Sequence, residues 1–546
     1  MSKYTEIKNQ VKDIVSTTHD IEELRGVCRL LLNMVEELAE ANHKLATEVQ
    51  DLRDEVNRLK GEKGKPKFRA KPVDHSSEDE RKPKVPGKPD KKPRGNKNKL
   101  KITRKKICPV DPTLLPKDAI FKGYQRVVVQ DLILSTETIE FRKEVYYSPS
   151  AGKNFTGTLP AGYKGSFGPN IKTLILSLHN TSNMTESAIV DFLTTHGVVI
   201  SSASVARIIL DGYEQFKDEK SAIIDAGLVS TPYQHIDDTG AKVDGKQNYT
   251  HVLCNPFYTA YFTRPNKSRL TLLEILSGGQ EFRFDDFAYT LMTDMSLPAK
   301  ALNQLKAAVP ALTLTREDVE AVLYQLYPDV NRYQTAKRII LESSAIAAYR
   351  SHPQAIQLLI CDDAPQFKQI TPELALCWVH EGRHYKKLTP IVTEHRQELN
   401  LFLNEFWNYY RKLLEFKDQP TQWAAAELSA RFDTLFNQPV RYSSLAERMK
   451  KTVMHRHELL TVLRFPEVPL HNNPAEHGAR AQARKRDISF HTKTDRGTLA
   501  KDTMMTIVQT AKKLGVNVYQ YIYDRVSQAM SMPSLADAIL MQSSIA

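Results

Sequence analysis

Between Ile21 and Lys60 the hydrophobic positions repeat every seven residues, with leucine at Leu24, Leu31, Leu38, Leu45, Leu52 and Leu59. With these as d positions of a heptad, the a positions read Ile21, Cys28, Val35, Asn42, Val49 and Val56. β-Branched residues at a with Leu at d favour a two-stranded parallel coil, and one polar a residue, Asn42, pins the register. Glu48 at g faces Arg53 at e of the second strand, and Glu55 faces Lys60, so the charges support the same in-register homodimer. Residues 1–60 are therefore predicted to be a dimerising leucine-zipper coiled coil.

The period stops at Gly61. From there to residue 106 the chain carries eighteen Lys and Arg against six acids and has no apolar pattern that could build a core. Residues 61–106 read as a basic, disordered linker able to track phosphates. A basic leucine-zipper regulator differs: its basic region is a helix that precedes the zipper, whereas this one follows it and is broken by prolines.

Short strand-like runs, YQRVVVQDLIL, TIEFRKEVYYS and KNFTGTLP, then predict a small β-rich module over 107–165. Over 166–228 the spacing turns helical around breaks at Asn180 to Asn183 and at Gly197. Thr185 can cap a helix running to His196, and Ser202 or a neighbour caps the next. This is a helix-turn-helix pattern in which Arg207 is a candidate DNA contact.

YQHIDDT at 233–239 is a strand ending in acids, followed by two more strands in NYTHVLCN and YTAYFTR, which makes an antiparallel meander. AIQLLICDDAPQF is a buried-type strand ending in Asp362 and Asp363. In HNNPAEHGARAQARKRD, Asn473 is expected as N-cap, Pro474 as the first helical residue and Glu476 in the first turn, with Arg480 and Arg484 on nearly the same face and Lys485 beside them as candidate DNA contacts. Acids at the end of one strand usually mark a solvated turn. Three contributors in the order strand, strand, helix suit phosphodiester chemistry, which uses two divalent metals about 3.5–4 Å apart. Oxygen ligands of this kind suit Mg or Mn.

Composition narrows the partner. The chain has 546 residues, enough for three or four folded units, and a net charge of +12 concentrated before residue 110, which favours a polyanion such as DNA. Five cysteines without a CxxC pair suit a reducing compartment and leave no structural zinc to be expected. No apolar run reaches the roughly 18 residues that span a bilayer, so a cytoplasmic protein with no membrane partner is expected.

From about residue 165 to 525 the chain resembles the insertion sequence 66 family of transposases. The resemblance is carried by FGPNIKTLILSL, HIDDTGAKV, CDDAPQFKQIT with LCWVHEGRHYKKL, NNPAEHGARAQARKRDISF and TMMTIVQTAKKLGVNVYQYI. It implies an α/β RNase H-like catalytic core over 229–500, with helical insertions at about 268–352 and 391–465, and a C-terminal helical region over 501–546. Asp237, Asp362 and Glu476 then become the catalytic, metal-holding residues, with Asp238 and Asp363 as the adjacent alternatives. His380, Arg383, His384, Lys386 and Lys387 follow the second aspartate and suit DNA phosphates, while Trp378 is expected in the core. The sequence departs from the family pattern in keeping only Cys108 where relatives carry a zinc ribbon, in placing His471 before the two asparagines, and in the length of 268–352. The implied function is metal-dependent cleavage at element ends and strand transfer into target DNA in a prokaryotic, nucleoid-associated setting, with accessory proteins of the same element as further partners. The competing readings are a DNA-binding accessory protein and a structure-selective nuclease of the same fold.

Overall fold

Helix α1, Ile21–Leu59, has a heptad stripe on one face and a docking surface on another. The d residues Leu24, Leu31, Leu38, Leu45 and Leu52 are all exposed, as is Asn42 at a. The body of the protein is gripped from the b, f and g positions. Val27 is buried. The Asn33 amide donates to the carbonyl of Arg441 (3.0 Å) and accepts from the N–H of Ser443 (2.9 Å). The Glu36 carboxylate accepts from the N–H groups of Ile391 (3.0 Å) and Val392 (2.7 Å), and so caps a helix that has no side-chain cap of its own. This computed structural model describes residues 21–59, 102–116, 119–279, 281–329 and 332–545. Most of the basic linker and the side chain of Leu59 therefore lie outside the described residues.

The expected β-rich module reduces to one hairpin, β1 (Val145–Ser148) with β2 (Lys153–Thr156), paired from Val145↔Thr156 to Ser148↔Lys153. The runs at 119–144 form no strand, and most of their large apolar residues, among them Val127, Val129, Leu132 and Ile133, are exposed. β-Branched residues make a strand only against a surface that covers one of its faces, and within the described chain none does. Helices α2 (Pro169–Asn180), α3 (Glu186–Thr195) and α4 (Ser202–Val229) follow. Thr185 caps α3 by accepting from Ala188 N, and Ser201 caps α4 by accepting from Ser204 N. A small core of Ile175, Ile189, Leu193, Val198, Ile200, Val205 and Ile209 holds the three together.

The main body is built on a five-stranded sheet. β3 (Tyr233–Val243), β4 (Lys246–Cys254) and β5 (Thr259–Arg264) form an antiparallel meander. The chain then leaves the sheet through α5 (Arg269–Ser277), β6 (Phe282–Arg283), α6 (Asp286–Asp294), α7 (Ala299–Ala308), β7 (Thr313–Leu314), α8 (Arg316–Leu326) and α9 (Gln334–Arg350). It returns as β8 (Leu358–Cys361) and β9 (Glu373–Leu376), both parallel to β3, which gives the order β5-β4-β3-β8-β9. Helix α10 (Trp378–Lys386) leads into a second helical excursion, α11 (Thr393–Asp418), α12 (Gln422–Asn437), α13 (Ser443–Met454) and α14 (Arg456–Leu459). Helices α15 (Asn473–Ser489), α16 (Asp495–Lys513), α17 (Val518–Val526) and α18 (Leu535–Ser543) complete the chain. No helix among the described residues is long and apolar enough to cross a membrane.

The β5 edge of the sheet is closed by side chains of α16. Thr510 Oγ1 accepts from Thr259 N (3.2 Å), Thr506 Oγ1 from Tyr261 N (3.2 Å) and Asp502 Oδ2 from Thr263 N (2.6 Å). The match is metric: four helical residues rise about 6.0 Å and two strand residues about 6.6 Å, so i, i+4, i+8 on an antiparallel helix meets every second strand residue. Lys220 of α4 donates to the Tyr261 carbonyl (2.8 Å). An edge strand that would otherwise offer bare N–H groups is thus sealed without another strand.

Replacement of Thr506 by the isosteric valine keeps the packing and strands the buried Tyr261 N–H. We expect Thr506→Val to lower the unfolding free energy by about 1–3 kcal/mol in urea titrations, with the shape of the far-UV spectrum unchanged.

Candidate catalytic site

Strand register brings the two aspartates together. β3 and β8 run parallel with His235 opposite Ile360, so continuing two residues along each chain sets Asp237 level with Asp362 on neighbouring strands. Adjacent strands lie about 4.8 Å apart. Asp237 lies in the centre of the sheet, opposite Val252 of β4, while Asp362 stands just beyond the end of β8. This is the carboxyl end of the parallel strands, where ligand sites form in open α/β sheets.

Glu476 arrives on α15, which is fastened to β3 one residue before Asp237. The Asn472 side chain bonds His235 Nδ1 through its carbonyl (3.0 Å) and donates to the Ile236 carbonyl (2.8 Å). Its own N–H is received by Cys377 Sγ (3.3 Å), the sulfur that also caps α10 by accepting from His380 N (3.4 Å). The N-cap position of α15 is therefore Asn472 rather than Asn473, and its side chain makes no capping bond because both ends of the amide are committed to β3. Further along the helix, Gly478 permits backbone-close packing: a Cβ there would lie 2.6 Å from Val252 Cγ1. Tyr261 Oη donates to the Gly478 carbonyl (3.1 Å).

The electrostatics of the three acids differ. Burial pushes the Asp237 carboxyl up to about 7, with the neighbouring charges of Asp362, Asp238 and Glu476 adding to the shift and the Asp238 N–H opposing it. Burial also raises Asp362, against the Ala364 N–H and the nearby His380. Burial would raise Glu476 as well, but hydrogen bonds and charge from Arg383, helped by Arg480, outweigh it and hold this carboxyl below its ordinary value. Arg383 grips Glu476 through both oxygens at 2.9 and 2.8 Å. Neither aspartate makes an ion pair among the described residues.

Their neighbours are engaged elsewhere. Asp238 accepts from Gln366 Nε2 (2.8 Å) and pairs with Lys267 (3.4 Å), while Asp363 pairs with Lys368 (2.9 Å) and His455 (3.1 Å). An oxygen-only set of three mutually repelling, desolvated carboxylates fits a hard divalent cation. Among the described residues, however, no three His, Cys, Asp or Glu side chains are gathered tightly enough to hold one.

The basic residues divide. Arg207, Lys386, Lys387, Arg480 and Arg484 are exposed, His380 and Arg383 are half-buried beside the acids, and His384 is half-buried beside Arg448 and Glu381. Lys485 corrects the sequence reading: only 3% exposed, it donates to the His179 carbonyl (2.8 Å) on α2 and offers no charge to a phosphate. Trp378 is fully buried, with Nε1 donating to Leu459 O (2.8 Å). Sequence reasoning did not single out Asn472, Cys377 and Gly478 as positioning residues. Their only signal was adjacency to the acidic and aromatic motifs.

Comparison with known proteins gives two matches. The family model described as "Transposase IS66 family" matches residues 164–302 and 311–500. The chain is also 30% identical over 307 residues, 56% of its length and 94% of the relative's, to "Uncharacterized protein y4jO" from Sinorhizobium fredii (strain NBRC 101917 / NGR234).

Gly478→Ala is expected to force α15 away from Val252 and to cost about 1–3 kcal/mol of stability by overpacking. Urea denaturation measures the loss, and an unchanged midpoint would mean that the helix has room to spare.

Proposed function

Because this chain belongs to the IS66 family of transposases, we propose that it cleaves DNA at the ends of its element and joins them to target DNA, with Asp237, Asp362 and Glu476 as the catalytic acids. One observation carries the reading: the parallel register of β3 and β8 supports side-by-side aspartates, and the Asn472 contacts tie the start of the Glu476 helix to β3 at the residues just before Asp237. The strand order, an antiparallel meander extended by two parallel strands on the β3 side, supports an RNase H-like core.

Asp237, Asp362 and Glu476 would hold two divalent ions, Mg or Mn, which activate a water or a 3′-hydroxyl and steady the leaving oxygen. The other residues bind and orient. Arg480 and Arg484 project from the helix that carries Glu476, and Lys386 and Lys387 stand at the end of α10, so phosphates on either side of the cut would meet positive charge. The helix-turn-helix of α2–α4, with Arg207 exposed, would read element ends. The basic linker would add affinity without sequence preference. The exposed heptad stripe of α1 supports a parallel homodimer, which would pair two active sites for two ends. The setting for such chemistry is the bacterial nucleoid.

The test is a magnesium-dependent cleavage and strand-transfer assay on DNA carrying the ends of the protein's own element. Asp237→Asn, Asp362→Asn and Glu476→Gln should each lower joining about 10³-fold or more while DNA affinity stays within a few-fold. Joining that survives all three substitutions would refute the assignment. An accessory protein would bind and never cut, and a structure-selective nuclease would cut branched DNA and never join. For the dimer, Leu38→Glu with Leu45→Glu should convert the species seen by sedimentation equilibrium from dimer to monomer.

A further inference from the structure

Helix α10 is anchored at its start and along the faces that meet the second helical excursion. Trp378 N donates to Leu470 O (3.0 Å), and the Trp378 ring packs among Phe406, Tyr409, Phe432 and Phe436. Gly382 lies so close to Trp407 that a Cβ would sit 2.5 Å from its ring. Glu381 points the other way, bound by Arg448 and Thr452. These contacts hold the helix backbone on either side of Arg383, so release of Glu476 would be a movement of the arginine side chain.

That side chain closes both oxygens of Glu476 in a fork, the strongest geometry an arginine makes with a carboxylate. The Glu476 side chain is 14% exposed and that of Arg383 34%, so water screens the pair only in part. Arg480 adds a weaker contact from the outer side at 3.4 Å. Among the described residues, Glu476 is the one of the three acids with an ion pair, and a metal ion needs the same oxygens that the guanidinium covers.

We infer that Arg383 is a counter-ion latch: it occupies the carboxylate of Glu476 in place of the metal, and a divalent cation enters the site only by displacing it. The inference rests on the reading of Asp237, Asp362 and Glu476 as metal ligands. The latch answers a physical need. Three carboxylates desolvated together repel one another, and a guanidinium on one of them lets the site fold before a cation arrives. It also makes a threshold, because the cation must outcompete a bidentate ion pair. Arg383 is in this sense a positioning residue for the acid and not a ligand.

The experiment measures Mn²⁺ binding to the full chain without DNA, by calorimetry and by the electron paramagnetic resonance of free Mn²⁺. Arg383→Met removes the competitor together with its repulsion and should tighten Mn²⁺ binding about tenfold or more. Arg383→Lys keeps the charge without the fork and should fall between the two. Arg480→Met, which removes only the outer contact, should change affinity by less than Arg383→Met. Arg383→Gln serves as a second neutral variant if the methionine protein does not fold. Asp237→Asn is the control on the underlying reading. Loss of Mn²⁺ binding in that variant, with unchanged or weaker binding in both neutral Arg383 variants, overturns the latch and leaves the metal site standing. Mn²⁺ binding unaffected by Asp237→Asn overturns the metal-site reading itself.

Discussion

Helix α15 has to lie against the sheet at backbone distance, because Glu476 sits in its first turn and cannot otherwise approach acids carried by strands. Two residues impose that distance. Asn472 ties the start of the helix to β3 through both ends of its amide, and Gly478 removes the side chain that would hold the helix away from Val252. Cys377 links the same junction to α10, so the strand, the glutamate helix and the helix that bears Arg383 share one small buried network. A displacement at any member moves the acid relative to the aspartates.

Burial sets the electrostatic character of this corner. Desolvation raises both aspartates, and mutual repulsion adds to the shift at Asp237. Glu476 escapes it because Arg383 supplies hydrogen bonds and positive charge, with the charges of Arg480 and His380 adding to the effect. The opposite edge of the sheet has a quieter version of the same problem, in which buried N–H groups of β5 would lack partners. There the partners are two threonines and an aspartate at helical spacing on α16. One edge is thereby sealed, while charge remains unbalanced around Asp237 and Asp362.

The N-terminal helix joins a proposed assembly to this body. Its b, f and g positions are fixed to the second helical excursion by Val27, Asn33 and Glu36, and its heptad stripe faces outward. A helix docked on one face and apolar on another would transmit the orientation of the proposed partner helix to the body with little play. Arg441 and Ser443, which receive Asn33, lie just before and at the start of α13, which in turn supplies Arg448 and Thr452 to Glu381 of α10.

What the chain alone determined is what depends on neighbours a few residues away. The heptad, the caps at Thr185 and beside Ser202, the antiparallel meander and the apolar strand before Asp362 all follow from side-chain periodicity and backbone preference, which act over one or two turns, whereas Asp237 and Asp238, expected where a strand ends, lie in the middle of β3 because pairing with β4 carries that strand on to Val243. The β pattern of 119–144 shows the limit of that reasoning, since alternation becomes a strand only where another surface covers it. Only the tertiary structure decided that Asn472 faces β3 instead of its own helix, that Lys485 turns inward to His179, and that Arg383 grips Glu476. Each of these joins residues from about ninety to more than three hundred positions apart. A basic side chain in a sequence has the same local signature whether it meets solvent, a carbonyl or a carboxylate, and only packing between distant segments chooses among them.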